Sequence, residues 1–398
     1  MAFARGGSPL GVRGGGGNYF SLFVKHAKIF EIGILIFRYL IFQKVAKNTK
    51  IIVNPKALFP MFCVTVLALP TCTKPAPREV LPAFYHWQTK FQLTAFESNY
   101  LDSLKVKKLY LKFFDVDWDV HKQQPVPLAP LQRSSKLQDI AIVPTIFITN
   151  RTLLHLKENR LEDLANKIFK KVNQLDEQFP LLQVKEIQFD CDWSPKTKKK
   201  YFELLKKLRN HFGNKILFSA TIRLHQVRYF KKTGVPPVDK GMLMFYNMGD
   251  VENPNTKNAI LDLELARPYL TDFEKYPLKL DLALPLFAWG VLFRDGKMIK
   301  LINNLHEENL KDEARFLKIS PNHFQVVKST YLEGQYLYRD DVIRLEAATV
   351  EQLEKTASFL NKIIDNQTLT VAFYHLDTAT VKFFPHEKME DILSRFSK

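Results

Sequence analysis

Residues 186–195 read Glu-Ile-Gln-Phe-Asp-Cys-Asp-Trp-Ser-Pro, an alternation of polar and apolar side chains that ends in a turn signal. Because side chains alternate across a β-strand, one face of this segment is polar and the other is apolar. We expect the apolar side chains to pack against helices and the polar ones to point into a sheet closed on itself. The two sets are Ile187, Phe189 and Cys191, and Gln188, Asp190 and Asp192.

Seven other strand-like segments occur along the chain, and helical patterns separate most of them. The eight predicted strands are Pro82–Trp87, Lys108–Asp115, Ile140–Thr149, Glu186–Asp192, Lys215–Ile222, Gly241–Tyr246, Leu278–Leu286 and Thr368–Leu376. Eight strand–helix units without an identical repeat favour an α/β fold, the (β/α)8 TIM barrel. An open doubly wound sheet is the alternative. The segment from about 290 to 346 breaks the alternation and is predicted to be a lobe inserted after strand seven.

The helix after strand four has the clearest boundary signals. Ser194 is expected to cap it, Pro195 to be its first residue and Gly213 to stop it. A Pro-rich loop is predicted after strand two, and Thr349 or Val350 is expected to cap a later helix. The other predicted helices span 91–104, 151–179, 224–232, 259–270, 351–364 and 387–396.

The composition allows a large folded core and excludes several function classes. The 398-residue chain is 46% hydrophobic, and its net charge is +17. Residues 1–72 carry nine Lys/Arg and one acid, and we interpret the remaining +9 as a Lys-rich helical surface without nucleic-acid binding. Cys63, Cys72 and Cys191 lack metal-ligand spacing, so neither a zinc site nor a disulfide framework is expected. No phosphate-binding loop or nucleophile elbow follows a strand, and no cofactor is expected.

The amino-terminal region has the pattern of a secretory leader. Lys47, Lys50 and Lys56 precede a mostly apolar run, 57–69, and a Pro-rich linker, 73–82, follows. We therefore divide the chain into a leader (1–72), this linker and a barrel (83–398). Residues 1–45 lie upstream of a normal signal, which we interpret as a start site assigned too early. An ordinary anchor helix is the alternative.

The cysteine at the end of this leader resembles the lipidated cysteine of bacterial lipoproteins. The resemblance implies a lipid on Cys72 and attachment to a membrane of the bacterial cell envelope, at the outer membrane or the periplasmic face. Pro70 and Thr71 depart from the usual Leu-Ala-Gly-Cys box.

Acidic and aromatic side chains stand at the carboxyl ends of the predicted strands, where TIM barrels build active sites. Arg223 is expected to pair with Asp190 or Asp192, and a purely structural Asp–Arg–Gln network is the alternative. The histidines are expected to form hydrogen bonds and not to ligate a metal. The candidates are Asp115, Asp117, Asp190, Asp192, Asp377, Arg223, Asn247, His86, His375, Trp87, Tyr246 and Trp289.

Three short segments resemble glycoside hydrolase family 18, the chitinase-like barrels. Asp190-Cys191-Asp192-Trp193 is similar to that family's Asp-x-Asp-Trp-Glu, Met244-Phe245-Tyr246-Asn247 to its Met-x-Tyr-Asp, and Trp289 to the Trp at the floor of its sugar site. The resemblance implies a glycan substrate. Ser194 stands where the family has its acid Glu, and Asn247 replaces an Asp, so the family's substrate-assisted mechanism is not implied. The body of the chain also resembles bacterial lipoproteins predicted to be hydrolase-like barrels.

Two functions follow from these residues. The first is a cell-envelope glycoside hydrolase in which Asp192 is the acid, its pKa raised by Asp190 and by partial burial. Asp115, Asp117 or Asp377 would supply the second carboxylate. The second function is a non-catalytic glycan-binding lipoprotein, suggested by Ser194. In both, the sugar would contact Trp87, Tyr246 and Trp289 by stacking, and His86, Arg223, Asn247, His375 and Asp377 by polar groups; rim packing is the alternative for each Trp.

Overall fold

Eight parallel strands close into a barrel in this computed structural model, which describes residues 77–133, 140–177 and 184–397. In chain order the strands are β1 (Glu79–His86), β2 (Lys90–Phe91), β3 (Lys108–Asp119), β4 (Gln124–Leu128), β5 (Gln132–Arg133), β6 (Ala141–Ile148), β7 (Glu186–Asp190), β8 (Leu217–Arg223), β9 (Lys240–Met244), β10 (Leu280–Pro285), β11 (Ala288–Arg294), β12 (Lys297–Asn303), β13 (Phe316–Ser320), β14 (His323–Val326), β15 (Thr330–Leu332), β16 (Gln335–Leu337), β17 (Val342–Ala347) and β18 (Thr368–Tyr374).

The barrel consists of β1, β3, β6, β7, β8, β9, β10 and β18, paired in that order. The ring closes because β1 pairs in parallel with both β3 and β18. The predicted (β/α)8 barrel is therefore confirmed, and the open sheet is excluded.

Helices cover the outside of this ring. They are α1 (Ala95–Ser103), α2 (Asn150–His155), α3 (Leu161–Glu177), α4 (Lys198–Phe212), α5 (Leu224–Arg228), α6 (Phe230–Thr233), α7 (Leu263–Ala266), α8 (Val350–Leu360), α9 (Thr378–Val381) and α10 (His386–Ser394), with 3-10 turns at Glu158–Arg160, Arg267–Leu270, Phe273–Lys275 and Glu307–Leu310. The predicted cap of α8 is confirmed, since the Thr349 side chain accepts a hydrogen bond from Gln352 N.

Two local predictions are wrong. The helix after β7 begins at Lys198, with Thr197 as its N-cap, and not at Ser194-Pro195. Ser194 instead starts a turn, in which its carbonyl accepts hydrogen bonds from the N–H groups of Thr197 and Lys198. The predicted Pro-rich loop contains a strand, because β4 pairs antiparallel with the extended end of β3.

The predicted division of β7 into two faces is confirmed. Its apolar side chains belong to the core between barrel and helices, together with the stripe on α4 formed by Tyr201, Leu204, Leu205 and Leu208. Gln188, on the other face, accepts a hydrogen bond from Tyr85 OH at 2.6 Å inside the barrel. Aromatic, aliphatic and methionine side chains fill the rest of the interior, so the barrel is packed and has no pore.

A network of charges closes the amino end of the barrel. Glu186 lies between two ammonium groups, 3.0 Å from Lys108 Nζ and 3.1 Å from Lys240 Nζ, and Lys240 also contacts Asp281 at 2.8 Å. Burial would raise the pKa of Glu186, but Lys240 and Lys108 outweigh it and hold the pKa below its ordinary value. These four residues are called the floor network below. The open end is therefore the one where the strands finish.

A second sheet lies between β10 and α8 in the chain. Its five antiparallel strands are ordered β12-β11-β17-β14-β13 and enclose a core of their own. This sheet with its connections, residues 288–347, is called the lobe below. No helix in the three described ranges is long and apolar enough to cross a bilayer.

Candidate active site at the barrel mouth

A cavity of about 410 Å³ opens at the carboxyl end of the barrel. Its size is in the range of small-molecule and sugar sites. It brings together eight of the twelve candidates from the sequence. They are Trp87, Asp190, Asp192, Arg223, Tyr246, Asn247, Trp289 and His375.

Arg223 lies between the two aspartates of strand β7. Its Nε donates to Asp192 Oδ1 at 2.6 Å, and its NH2 group is 3.8 Å from Asp190 Oδ1. The predicted pairing is present with both carboxylates. Burial alone would lower the pKa of the guanidinium, but Asp192 and Asp190 outweigh it and hold that pKa above its usual range. The guanidinium is therefore a fixed positive charge in the cavity wall.

The two aspartates differ in their access to solvent. The side chain of Asp190 is 6% exposed and accepts a hydrogen bond from Thr221 Oγ1 at 2.5 Å. Burial raises its pKa to about 6, although Arg223 opposes the shift. The Asp192 side chain is 58% exposed. The sequence predicted partial burial for Asp192, but the buried carboxyl group is that of Asp190, because the strand ends at residue 190 and the Asp192 side chain beyond it is exposed.

Aromatic rings form the walls of the cavity. Tyr374 is central, with ring centroids 5.8 Å from Trp87 and 5.4 Å from Tyr246. Phe287 continues the surface, 5.6 Å from Tyr246 and 5.3 Å from Trp289. Such a surface suits stacking of an apolar ring face, and Tyr hydroxyls and Trp N–H groups add hydrogen bonds.

Asp115 lies close to the cavity without lining it. Its Oδ2 accepts from Lys112 Nζ at 3.2 Å, while its buried Oδ1 finds no partner in the described part of the chain. Lys112 Nζ also lies 5.8 Å from the Trp87 ring centroid. Asp115 reaches this position because a bulge in β3 between Lys112 and Phe114 shifts the alternation of side chains by one residue, so that Asp115 points to the inner face.

The other three candidates also lie outside the cavity lining and have other contacts. Asp117 pairs with Arg151 and accepts from Thr149 Oγ1 at 2.7 Å at the start of α2. Asp377 caps α9 by accepting from Ala379 N. His86 is buried against the Phe91 ring, and burial lowers its pKa to about 4.

Five residues of the cavity lining are not among the twelve candidates. Asn303 and Asn304, from the end of β12, bring the lobe into the wall, and an Asn-Asn pair after an apolar strand is a turn signal that could have marked them. Tyr374 ends β18 and could have been found by the strand-end rule. The other two are Phe147 and Phe287.

His375 also lines the cavity, and burial lowers its pKa below the ordinary value. It is therefore neutral at neutral pH, so the lining carries two carboxylates against one guanidinium. Across residues 77–133, 140–177 and 184–397, no three His, Cys, Asp or Glu side chains are grouped to hold a metal ion.

The fold and the site define a (β/α)8-barrel protein with an acidic, aromatic-walled cavity at the carboxyl ends of its strands. No protein-family model and no curated protein matches the chain. Similar solved structures include the spore cortex-lytic enzyme SleL of Bacillus cereus, at 13% identity and a TM-score of 0.49, covering 82% of this chain and 76% of that one. The GH18 chitinase ChiB of Flavobacterium johnsoniae has 12% identity and a TM-score of 0.49, with 80% and 94% covered. The Group IV chitinase of Ostrinia furnacalis has 10% identity and a TM-score of 0.49, with 80% and 100% covered. The barrel assignment rests on the ring of strand pairings and not on these alignments.

Proposed function

We propose that the barrel mouth binds a glycan and hydrolyses it by carboxylate acid/base chemistry. The observation that carries the proposal is that Asp190, Asp192 and Arg223 line one cavity together with a continuous aromatic wall. Glycoside hydrolysis needs two carboxyl groups with different protonation beside an apolar sugar-binding surface.

The environments of the two carboxyl groups suggest their roles. Asp190, with a pKa near 6, is suited to hold and release a proton close to neutral pH. Asp192 is exposed to the cavity and accepts a charge-assisted hydrogen bond from Arg223, which suits a carboxylate that activates water or stabilises developing positive charge. This order is the reverse of the one expected from the sequence, where Asp192 was the acid.

The mechanism of the family 18 enzymes is not part of this proposal. Ser194, at the position of their acid Glu, does not line the cavity. Its backbone N–H donates to Thr197 Oγ1 at 2.8 Å, in the turn that precedes α4. The carboxyl groups that line the cavity are those of Asp190 and Asp192, and we assign the acid to this pair.

The charges of the cavity narrow the substrate class. Above about pH 6, where Asp190 is ionised, two carboxylates face one guanidinium and disfavour a polyanion, because like charges repel at short range. We expect neutral or amino-bearing polysaccharides to bind better than uronic-acid polymers. Binding measured calorimetrically on the three classes, with product scored by reducing ends, tests this order, and tightest binding to the acidic class would contradict it.

Asp192→Asn tests the catalytic role. We expect at least a 100-fold loss of kcat with at most a small fall in melting temperature, because the exposed side chain keeps an oxygen that can accept from Arg223, and Asp190 stays beside the guanidinium. Asp272→Asn is the control, since Asp272 is an exposed aspartate that contacts Arg228 at 3.1 Å away from the cavity. Wild-type turnover in Asp192→Asn would remove the role.

A non-catalytic glycan-binding protein is the second candidate function. Arg223 contacts both aspartates and Ser194 replaces the expected acid, which favours this candidate. It predicts saturable binding without product over long incubation and weaker binding in Trp289→Ala. Detection of cleaved glycan would exclude it, and absence of both binding and product would contradict both functions.

The proposal also includes a location, the bacterial cell envelope, with a lipid on Cys72 as anchor. Its support is the basic and apolar pattern of residues 47–69, and Cys72 lies outside the described residues. Expression in a bacterial host with radiolabelled palmitate is expected to label the wild type and Cys63→Ser but not Cys72→Ser. Equal labelling of both variants, or none in the wild type, would contradict the anchor.

A further inference from the structure

Two buried charges in the lobe contact the wall of the cavity. Arg344 and Glu346 stand two residues apart on β17, and their side chains are both 0% exposed. Arg344 Nε donates to Glu346 Oε1 at 2.7 Å. An ion pair removed from water in this way is tolerated only when its remaining donors and acceptors are satisfied.

The remaining hydrogen bonds of the pair go to two segments beside the cavity. Arg344 donates to two carbonyls of the loop after β9, Asn253 O at 2.6 Å and Val251 O at 3.0 Å. Glu346 Oε2 accepts from Ala259 N at 3.0 Å in the same loop, and from the indole Nε1 of Trp289 at 2.8 Å. One carboxylate oxygen therefore joins the loop to a cavity tryptophan.

The loop carries a second lining residue. Asn247 N donates to Ile260 O at 2.9 Å, next to Ala259, which closes the loop at its base. A small apolar cluster of Val251, Ala259, Val291 and Phe293 packs the loop against the lobe sheet. The Arg344–Glu346 pair therefore holds Trp289 directly and holds Asn247 through the loop that carries it.

We infer that Arg344 and Glu346 are positioning residues that hold Trp289 and the loop of Asn247 for the glycan. The inference rests on the proposed function, in that the ligand is a sugar, and it adds that the lobe sets the affinity of the barrel mouth. Neither residue lines the cavity, so both act through the side chains that they hold.

Glu346→Gln and a matched control in the same lobe test the inference. Asp341 is the other buried lobe carboxylate, 1% exposed, and it accepts from Arg294 Nε and NH2 at 2.8 and 2.9 Å. It pairs at the opposite end of β11 from Trp289, so Asp341→Asn damages the lobe without touching the cavity wall. We expect Glu346→Gln to weaken binding of N-acetylchitohexaose to the full-length protein by roughly fivefold or more, and Asp341→Asn to leave it unchanged.

A second measurement does not depend on the sugar. In protein labelled with ¹⁵N-tryptophan, the indole N–H resonance of Trp289, assigned with Trp289→Phe, is expected to shift in Glu346→Gln and to stay in place in Asp341→Asn. An unshifted resonance in Glu346→Gln, or equal loss of binding in both variants, would overturn the inference. If the wild type binds no sugar, the proposed function fails while the resonance still decides the positioning role.

The double variant Arg344→Met, Glu346→Leu covers the case in which Glu346→Gln does not fold. It removes both charges together, which buried pairs often tolerate. It is expected to fold with the Trp289 resonance shifted and with weakened binding. A folded double variant with wild-type resonance and affinity would overturn the inference.

Discussion

Asp190 combines burial with a neighbouring cation, and its protonation links site chemistry to stability. Its pKa of about 6 compares with roughly 3.9 in an unfolded chain. A carboxyl group whose pKa rises on folding stabilises the folded state in its protonated form. That contribution is fully present below about pH 4 and is lost as the pH rises through 6.

Asp190→Asn removes this pH dependence. Between pH 4 and pH 7.5 we expect the wild type to lose about 2–3 kcal/mol of unfolding free energy relative to the variant. Urea denaturation of both proteins across this range measures the difference. Parallel stability curves would show that Asp190 titrates alike in the folded and unfolded chains.

The contacts of single residues were partly predictable from the sequence. Alternation along β7 was sufficient to place Asp190 inside and to pair it with Arg223. It could not show that residue 190 is the last of the strand, since the chain keeps the same alternation to Asp192. The strand end depends on where the neighbouring strand stops pairing, and that is a property of the whole sheet.

Strand β3 shows a second limit of prediction from the sequence, at the scale of one secondary-structure element. Regular alternation would put Asp115 on the outer face with Leu111 and Phe113. The bulge allows Phe113 and Phe114 both to pack outward and turns Asp115 inward beside Lys112. An extra residue in a strand cannot be recognised from composition. The position of the bulge depends instead on how the apolar side chains pack against the helices.

The loop after β9 gives a prediction at this scale. Gly249 lies so close to the returning chain that an added Cβ would be 2.7 Å from Ala259 Cα, a backbone atom that cannot move aside easily. Gly249→Ala is therefore expected to cost about 1–3 kcal/mol and to weaken glycan binding, because the same loop carries Asn247. Thermal denaturation and calorimetry measure the two effects, and wild-type values for both would contradict the close approach.

Arg78 joins the two ends of the barrel. Its guanidinium donates to Asn366 O at 2.7 Å and Phe396 O at 3.0 Å, and also to Asn361 Oδ1 and Ile364 O. The residue just before β1 is thereby connected to the approach to β18 and to the carboxyl terminus, where the ring closes. Strand β1 begins at Glu79, three residues before its predicted start, and Arg78 explains why this segment is ordered into the barrel.

Arg78→Met is expected to lower the unfolding free energy by about 2–4 kcal/mol, because several carbonyls lose a charged donor. Arg160→Met is the control, since the ion-pair partner of that exposed side chain among the described residues is Asp163, and it should cost less than about 1 kcal/mol. Urea denaturation compares the two. Equal losses would mean that the ends are held by strand pairing alone.

The number and order of the eight barrel strands could be predicted because each of these segments has its own pattern. The position of the lobe in the chain could be predicted from the sequence, but its strand pairing could not. Its short strands pair over long separations, as when β11 pairs with β17, and no local signal encodes such partners. Asn303 lies opposite Trp289 in the β11–β12 hairpin, and a rule that considers only the ends of the barrel strands does not include it or Asn304.

The floor network has a consequence for how such a barrel can change over generations. Strand β7 carries Glu186 in that network and Asp190 at the mouth, roughly 13 Å apart along the strand. Substitutions near Asp190 leave the ion pairs around Glu186 untouched. The chemistry at the mouth of such a barrel can therefore change during evolution while the floor network stays the same.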